Sequence, residues 1–337
     1  MDSVTDRLGR GLRDLRISVT DRCNFRCRYC MPREEFGPDF AFLERSDLLS
    51  FEEIAQVVSA FARLGVRKVR LTGGEPLLRR EVERLVALLV GIEGIDDVAM
   101  TTNGSLLAGK AQVLREAGLA RVTVSLDSLD DSTFRAVSDV RLPVARVLEG
   151  IAEAKAVGMS PVKINAVVKR GVNDGRDVIE LAAFGRDHGY VVRFIEYMDV
   201  GTTNGWRMQD VVPARTLVDR LDALWPLEPV DPHHDGEVAE RYRYRDGAGE
   251  VGVIASVTQP FCHTCTRARI SAKGELFTCL FAATGTDLRG LLRGGAGTAD
   301  LDTAIRAVWA GRADRYSAQR ASETAELARV EMSYIGG

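Results

Sequence analysis

Short apolar segments recur at 15–20, 66–72, 98–102, 122–127, 162–168 and 191–198. Between them lie stretches with helical periodicity at 51–64, 80–91, 108–117, 144–156 and 177–188. Strands and helices alternating at this spacing predict parallel strands joined by crossover helices. Six such units predict an α/β fold, an open, partial (β/α)6 TIM-type barrel. A closed eight-stranded barrel takes about 250 residues of continuous repetition, and here the pattern stops near Val200. An open doubly wound sheet is the alternative that the same pattern allows.

The period within each strand adds a second inference, because successive side chains point to opposite faces. Leu15, Ile17 and Val19 share one face; Arg16, Ser18 and Thr20 share the other. Val69 and Leu71 likewise oppose Lys68, Arg70 and Thr72, and Val122, Val124 and Leu126 oppose Thr123, Ser125 and Asp127. If helices cover the apolar face, the polar rows point into the barrel. Unpaired buried charge is too costly to persist, so an inward row of Arg and Lys implies a wet cavity or a bound anion. A solvent-facing sheet edge would show the same alternation. In 191–198, Arg193 and Glu196 fall on opposite faces, so one of them breaks the rule.

After residue 205 the pattern changes. A helix is expected at 213–224, a Pro-, Asp- and His-rich stretch at 227–237, and strands at 241–245, 251–256, 266–271 and 275–280, with a hairpin turn at Ala272-Lys273-Gly274. The expected organisation is therefore a barrel over 1–205 and a smaller C-terminal α+β region over 206–337. No internal repeat or low-complexity segment stands out.

Six cysteines form two triplets, Cys23-x3-Cys27-x2-Cys30 and Cys262-x2-Cys265-x13-Cys279. Thiolates hold iron-sulfur clusters or zinc, and three protein ligands leave one coordination position open. Three disulfides are the alternative that an even count allows. The charged N-terminal stretch shows no secretory pattern, which points to a reducing, cytoplasmic setting. No apolar run approaches the roughly 20 residues of a membrane span. Of 337 residues, 45% are hydrophobic and 28% charged, and the net charge is -3, so a broad basic face for nucleic acid is disfavoured while a local cationic pocket is not.

The C-x3-C-x2-C spacing after the first strand, with Tyr29 before the third cysteine, resembles the radical S-adenosylmethionine superfamily. A zinc knuckle would want a fourth Cys or His nearby, and His188, His233, His234 and His263 are distant in sequence. The resemblance implies a 4Fe-4S cluster on Cys23, Cys27 and Cys30, with S-adenosyl-L-methionine chelating the open iron and cleaved to a 5′-deoxyadenosyl radical. Leu71-Thr72-Gly73-Gly74-Glu75-Pro76 resembles the superfamily's Gly-Gly-Glu-Pro motif. By the same resemblance Tyr29, Gly74, Ser125 and Met198 contact S-adenosylmethionine. A tight strand-to-helix turn is the plainer reading of the two glycines, and core filling that of Met198.

The second triplet, with Arg267-Ala268-Arg269 after it, resembles the auxiliary cluster site of the GTP 3′,8-cyclase family of molybdenum cofactor biosynthesis. Segments at 14–18, 193–201, 204–206, 315–317 and 332–337 match it too, so the resemblance covers nearly the whole chain. It implies a second 4Fe-4S cluster on Cys262, Cys265 and Cys279, and GTP bound by Arg16, Arg70, Thr101, Lys163, Arg267, Ala268 and Arg269, with Lys68 and Arg193 as further candidates. The implied lyase-type reaction moves a radical from the ribose 3′ carbon to C8 of guanine and yields 3′,8-cyclo-7,8-dihydro-GTP. The tail, Gly336 and Gly337, is implied to reach the active site, an external electron donor is required, and a homodimer is the family's expectation. His263, Thr264 and Thr266 depart from the family's usual residues, none at a ligand position. The bare chemistry agrees, because a triphosphate carrying about four negative charges needs several cations around it.

Overall fold

A computed structural model of the chain describes residues 4–234, 236–320 and 329–336. Its strands, in chain order, are β1 (Asp14–Ser18), β2 (Lys68–Thr72), β3 (Asp97–Thr102), β4 (Arg121–Ser125), β5 (Lys163–Val168), β6 (Val191–Glu196), β7 (Leu227–Val230), β8 (Glu240–Tyr244), β9 (Glu250–Ile254), β10 (Arg267–Ile270), β11 (Glu275–Phe277) and β12 (Thr286–Asp287). They form one sheet in the order β12-β11-β10-β1-β2-β3-β4-β5-β6-β9-β8-β7. The six expected units supply β1 to β6, all parallel. Two further parallel strands come from the C-terminal part: β10 pairs with β1, and β9 with β6. They follow a hairpin and a loop rather than crossover helices, which is why no βα repeat announces them. β9 and β10 stand at opposite ends of the parallel array and do not pair with each other, so the barrel is open.

Helices cover the apolar face as the alternation requires. Ile17, Val69, Leu71, Met100, Val122, Val124, Ile164, Val192 and Phe194 are all at most 1% exposed. Each is worth about 1.5–3 kcal/mol of burial. The helix Phe51–Arg63 illustrates the local logic: Ser50 accepts from the Glu53 amide, Glu53 Oε2 accepts from the Ser50 amide, and Ile54, Val57, Val58 and Phe61 form the buried stripe. The helices Asp131–Ser138, Leu288–Arg293 and Thr298–Ala310 and the strand β7 were not anticipated. Among the described residues, no helix is long and apolar enough to cross a membrane.

Register carries the site. Because β1 and β10 run parallel with Asp14 opposite Arg267 and Ile17 opposite Ile270, Cys265 precedes the N-terminal end of the array while Cys23 follows its C-terminal end. Strands of about five residues put on the order of 15 Å between the two mouths. Residues 255–266 run from β9 to β10 and carry Cys262 and Cys265. β11 then returns antiparallel, with Phe277 opposite Arg269, and brings Cys279 back toward Cys265.

Candidate active site between the two cysteine triplets

Neighbours in parallel register point the same way, so the inward rows can be read across the sheet. Arg267, Asp14, Lys68 and Asp97 form the row nearest the second triplet. Arg269, Arg16, Arg70, Ala99 and Arg121 form the next. Thr101, Thr123 and Lys163 follow, then Ser125, Asn165 and Arg193. The result is a cavity of about 570 Å³ lined by ten arginines and lysines, against which Asp14, Asp97, Glu237 and Asp314 stand as acids. The inward polar face is therefore the correct reading, and the sheet-edge alternative falls. Glu196 resolves the conflict in β6: it is the residue on the outer face, fully buried, where it accepts from the amides of Ala214 (2.7 Å), Val257 (2.7 Å) and Thr258 (2.8 Å). Its carboxylate meets the first amide of the helix Ala214–Asp222, which suits the positive end of that helix.

The cations repel one another. Burial first, and then Arg269, Arg267 and Arg70, push Arg16 well below the usual arginine value. Burial and Arg121 take Arg70 to about 10; burial and Arg70 take Arg193 to about 9; burial and Arg267 take Arg269 to about 9. A guanidinium keeps its proton in a protein, so these displacements express the cost of burying cations beside one another, which an anion would relieve. Lys163 can respond by losing its proton, and burial with Arg193, Arg121 and Arg70 brings it to about 7. Only some of this charge is answered internally. Arg70 donates to Thr101 Oγ1 at 3.1 Å and Thr123 Oγ1 at 3.2 Å, and Arg193 donates to Asn165 Oδ1 at 2.9 Å. Arg121 pairs with Asp97, and Lys68 lies 3.6 Å from Asp14. Arg267 Nε is buried with no hydrogen-bond partner among the described residues.

All six cysteines are free and partly buried. Burial, then the other charges around them, pushes the thiols of Cys27 and Cys30 well up, and burial with Glu75 takes Cys23 to about 11. Three buried thiols in one loop fit three corners of an iron-sulfur cube, which requires each of them as a thiolate. Cys23 Sγ accepts from the Phe25 amide at 3.4 Å. In the second trio burial and Asp314 hold Cys279 at about 11. Burial also raises Cys265, but Arg267 and Arg312 outweigh it and bring that thiol down to about 6.

Most residues singled out in the sequence converge here. Arg16, Arg70, Thr101, Lys163, Arg267, Arg269, Lys68, Arg193, Tyr29, Ser125 and Met198 line the cavity together with the second triplet. Ala268 does not: it is fully buried on the core face, which leaves only its backbone for a ligand. Gly74 is tied to the protein itself, since a Cβ there would sit 2.2 Å from the Arg22 carbonyl, and its amide donates to the Thr20 carbonyl at 2.8 Å. The two glycines thus let the end of β2 pass against the first cysteine loop. Gly336 adopts φ +76° with its Cβ position 2.4 Å from Thr72 Cγ2, and its carbonyl accepts from Arg269. The tail therefore lies across the inward face at β1 and its two neighbours, β2 and β10; Gly337 lies outside the described residues. Arg121 extends the inward face of Thr123 and Ser125, and Asp97 and Asn165 stand on the inward faces of β3 and β5, for which the sequence alone sets no direction. Arg10, Arg312 and Glu237 also line the cavity, from segments with no period to read.

Residues 17–184 match the Radical SAM superfamily model, and residues 190–318 match Molybdenum Cofactor Synthesis C. A GTP 3′,8-cyclase of Acidothermus cellulolyticus is 57% identical, with 99% of each chain covered. Those of Xanthomonas axonopodis pv. citri and Staphylococcus aureus are 51% and 44% identical, with at least 99% of each chain covered. The chain belongs to the GTP 3′,8-cyclase family. Within the radical S-adenosylmethionine superfamily its fold is similar to that of Streptococcus suis SuiB, with a TM-score of 0.62 at 16% identity over 93% of this chain and 71% of that one. Membership in the superfamily implies a 4Fe-4S cluster and S-adenosylmethionine.

Proposed function

We propose that this chain converts GTP to 3′,8-cyclo-7,8-dihydro-GTP, an early step toward the molybdenum cofactor, with the nucleotide held between two 4Fe-4S clusters. The observation that carries the reading is a cation-rich cavity lined by the second cysteine triplet and reaching Tyr29 of the first cysteine loop, with three thiols in each triplet. Cys23, Cys27 and Cys30 would hold the first cluster, and Cys262, Cys265 and Cys279 the second. Bound at the first triplet, cluster and S-adenosylmethionine supply an electron and a carbon-centred radical able to take a ribose hydrogen. An external one-electron donor is needed to start each cycle, and a homodimer remains the family's expectation.

The chain's own residues bind and orient. Arg16, Arg70, Lys163, Arg267 and Arg269 converge on the triphosphate, with Lys68 and Arg193 beside them, and each charge-assisted hydrogen bond contributes about 1.5–3 kcal/mol. Thr101 already holds Arg70 in place. Tyr29, Ser125 and Met198 sit toward the C-terminal ends of the strands, where S-adenosylmethionine is expected. Tyr29 donates to Asp127 Oδ2 at 2.8 Å, and Asp127 also accepts from the Val167 amide, which fixes the first cysteine loop against β5. Gly336 and Gly337 would close the barrel at Arg269, and the Gly336 conformation suits a residue without Cβ. Rigid placement matters because an angstrom-scale error would let the radical strike elsewhere.

Anaerobically reconstituted protein given GTP, S-adenosylmethionine and a reductant is expected to form the cyclised nucleotide. Cys262→Ser is expected to keep the first cluster and abolish the product. Full product from that variant would overturn a catalytic second cluster, and S-adenosylmethionine cleavage that ignores GTP in the unaltered protein would overturn the substrate.

A further inference from the structure

Beside the second cysteine triplet, where Arg10, Arg312 and Asp314 reach the edge of the cavity, lies a buried charge cluster whose polar atoms turn toward the cysteine loop. Asp6, with a fully buried side chain, accepts from Arg10 Nε at 2.6 Å and lies 3.4 Å from Arg312 Nη1. Arg10 donates through Nη1 to the carbonyls of Cys262 at 2.7 Å and Asp314 at 2.8 Å. Arg312 donates to the Cys265 carbonyl at 2.7 Å and to Cys265 Sγ at 3.2 Å, and its Nε lies 3.4 Å from Asp314. The Trp309 ring packs 4.5 Å from this guanidinium while its indole N–H donates to the Arg10 carbonyl at 3.1 Å. The side chains of both arginines are only 2% exposed.

Two buried guanidiniums against one fully buried carboxylate leave positive charge in excess, and such an excess is tolerated where a further anion completes it. Asp314, about one third exposed, answers part of it. The remaining anion that Arg312 touches is the Cys265 sulfur. Both of its η nitrogens are engaged, with Cys265 and Asp6, so it acts through the thiolate rather than on the triphosphate. N–H···S bonds and nearby positive charge favour the reduced, more negative form of an iron-sulfur cluster. We infer that Arg312 is a positioning residue that raises the reduction potential of the second cluster, and that Asp314, beside Cys279, opposes it. The inference rests on the second cluster proposed above and concerns its one-electron oxidised and reduced pair.

The test is a redox titration, followed by electron paramagnetic resonance, of full-length protein carrying Cys23→Ser, Cys27→Ser and Cys30→Ser, so that only the second cluster reports. Adding Arg312→Gln is expected to disfavour reduction about tenfold, a midpoint about 59 mV more negative. Arg312→Lys, which keeps the charge but loses the two-pronged hold, should recover more than half of that change. Asp314→Asn should move the midpoint the opposite way. Should Arg312→Gln fail to assemble a cluster, the opposite signs of Arg312→Lys and Asp314→Asn relative to the parent carry the test. Midpoints that stay put, or that move in the same direction for both positions, overturn the inference and leave the cluster standing. Absence of iron and acid-labile sulfide from the three-serine parent would overturn the second cluster itself.

Discussion

Lys163 offers the sharpest quantitative prediction. It faces Arg193, Arg121 and Arg70, with Glu237 the one acid among its principal charged neighbours, and burial with those arginines brings it to about 7 instead of 10.5. In the empty pocket about half the molecules at pH 7 carry a neutral amine. A triphosphate beside it restores the ordinary value, so GTP binding takes up a proton: about half a proton per site at pH 7 and nearly one at pH 8.5. The sign follows directly. Affinity is highest where Lys163 is already charged, and falls as the pH rises above 7 because an increasing share of the binding energy goes into protonating the amine. Between pH 7 and pH 9 the loss is about fiftyfold, roughly 2.3 kcal/mol. The phosphate's own ionisation is largely complete above pH 7 and contributes little. Calorimetric titration of anaerobic protein with GTP, without S-adenosylmethionine or reductant, in buffers of differing ionisation enthalpy reads the uptake directly. Lys163→Met should abolish it. Wild-type uptake near zero at pH 8.5, or uptake unchanged in Lys163→Met, would refute the reasoning.

The tail and its anchor give two more. Gly336→Ala places a methyl against Thr72 in a sparsely populated positive-φ conformation that costs an L residue about 1–3 kcal/mol, and should cut GTP cyclisation about a hundredfold while the melting temperature and both clusters stay unchanged; near-normal product formation would show that the tail need not sit there. Glu331 holds the tail to the loop after Met198 by accepting from the Thr202 amide (2.8 Å), Thr202 Oγ1 (3.0 Å) and Thr203 Oγ1 (3.1 Å). Because that site is partly solvated, Glu331→Gln should cost only about 1 kcal/mol of docking, seen as a roughly fivefold fall in turnover with faster proteolysis of the C-terminus and little change in melting. Unchanged proteolysis would remove Glu331 as an anchor.

Recurring apolar segments made β1 to β6 readable, and alternation made the direction of the side chains in β1, β2 and β4 readable, because one face must be buried and a slip of one residue would expose it. The inward direction of Arg16, Lys68, Arg70 and Ser125 follows on that ground alone, while their ligands come from the family resemblance. The same rule reaches Arg121, whose position at the start of its strand fell just outside the segment assigned. Glu196 shows where the rule needs tertiary information: its carboxylate is buried on the apolar face only because a helix start and the 257–258 amides converge on it. The membership of β9 and β10 in the parallel array was hidden, since no crossover helix precedes either strand and pairing across more than fifty residues leaves no local trace. Arg10 and Arg312 were equally hidden. They act on the backbone and sulfur of a distant cysteine loop, and one charged residue in a turn looks like any other. At Gly74 the structure adds a close approach to the chain's own cysteine loop, a long-range contact that no local pattern encodes.

The central claim is a division of labour between two open cluster corners, and it is tested most directly by spectroscopy on two complementary variants. Protein with Cys23, Cys27 and Cys30 changed to Ser should show a reduced-cluster resonance that shifts with GTP and ignores S-adenosylmethionine. Protein with Cys262, Cys265 and Cys279 changed to Ser should respond to S-adenosylmethionine and ignore GTP. Spectra in which both small molecules perturb the same cluster, or neither perturbs either, would contradict the account.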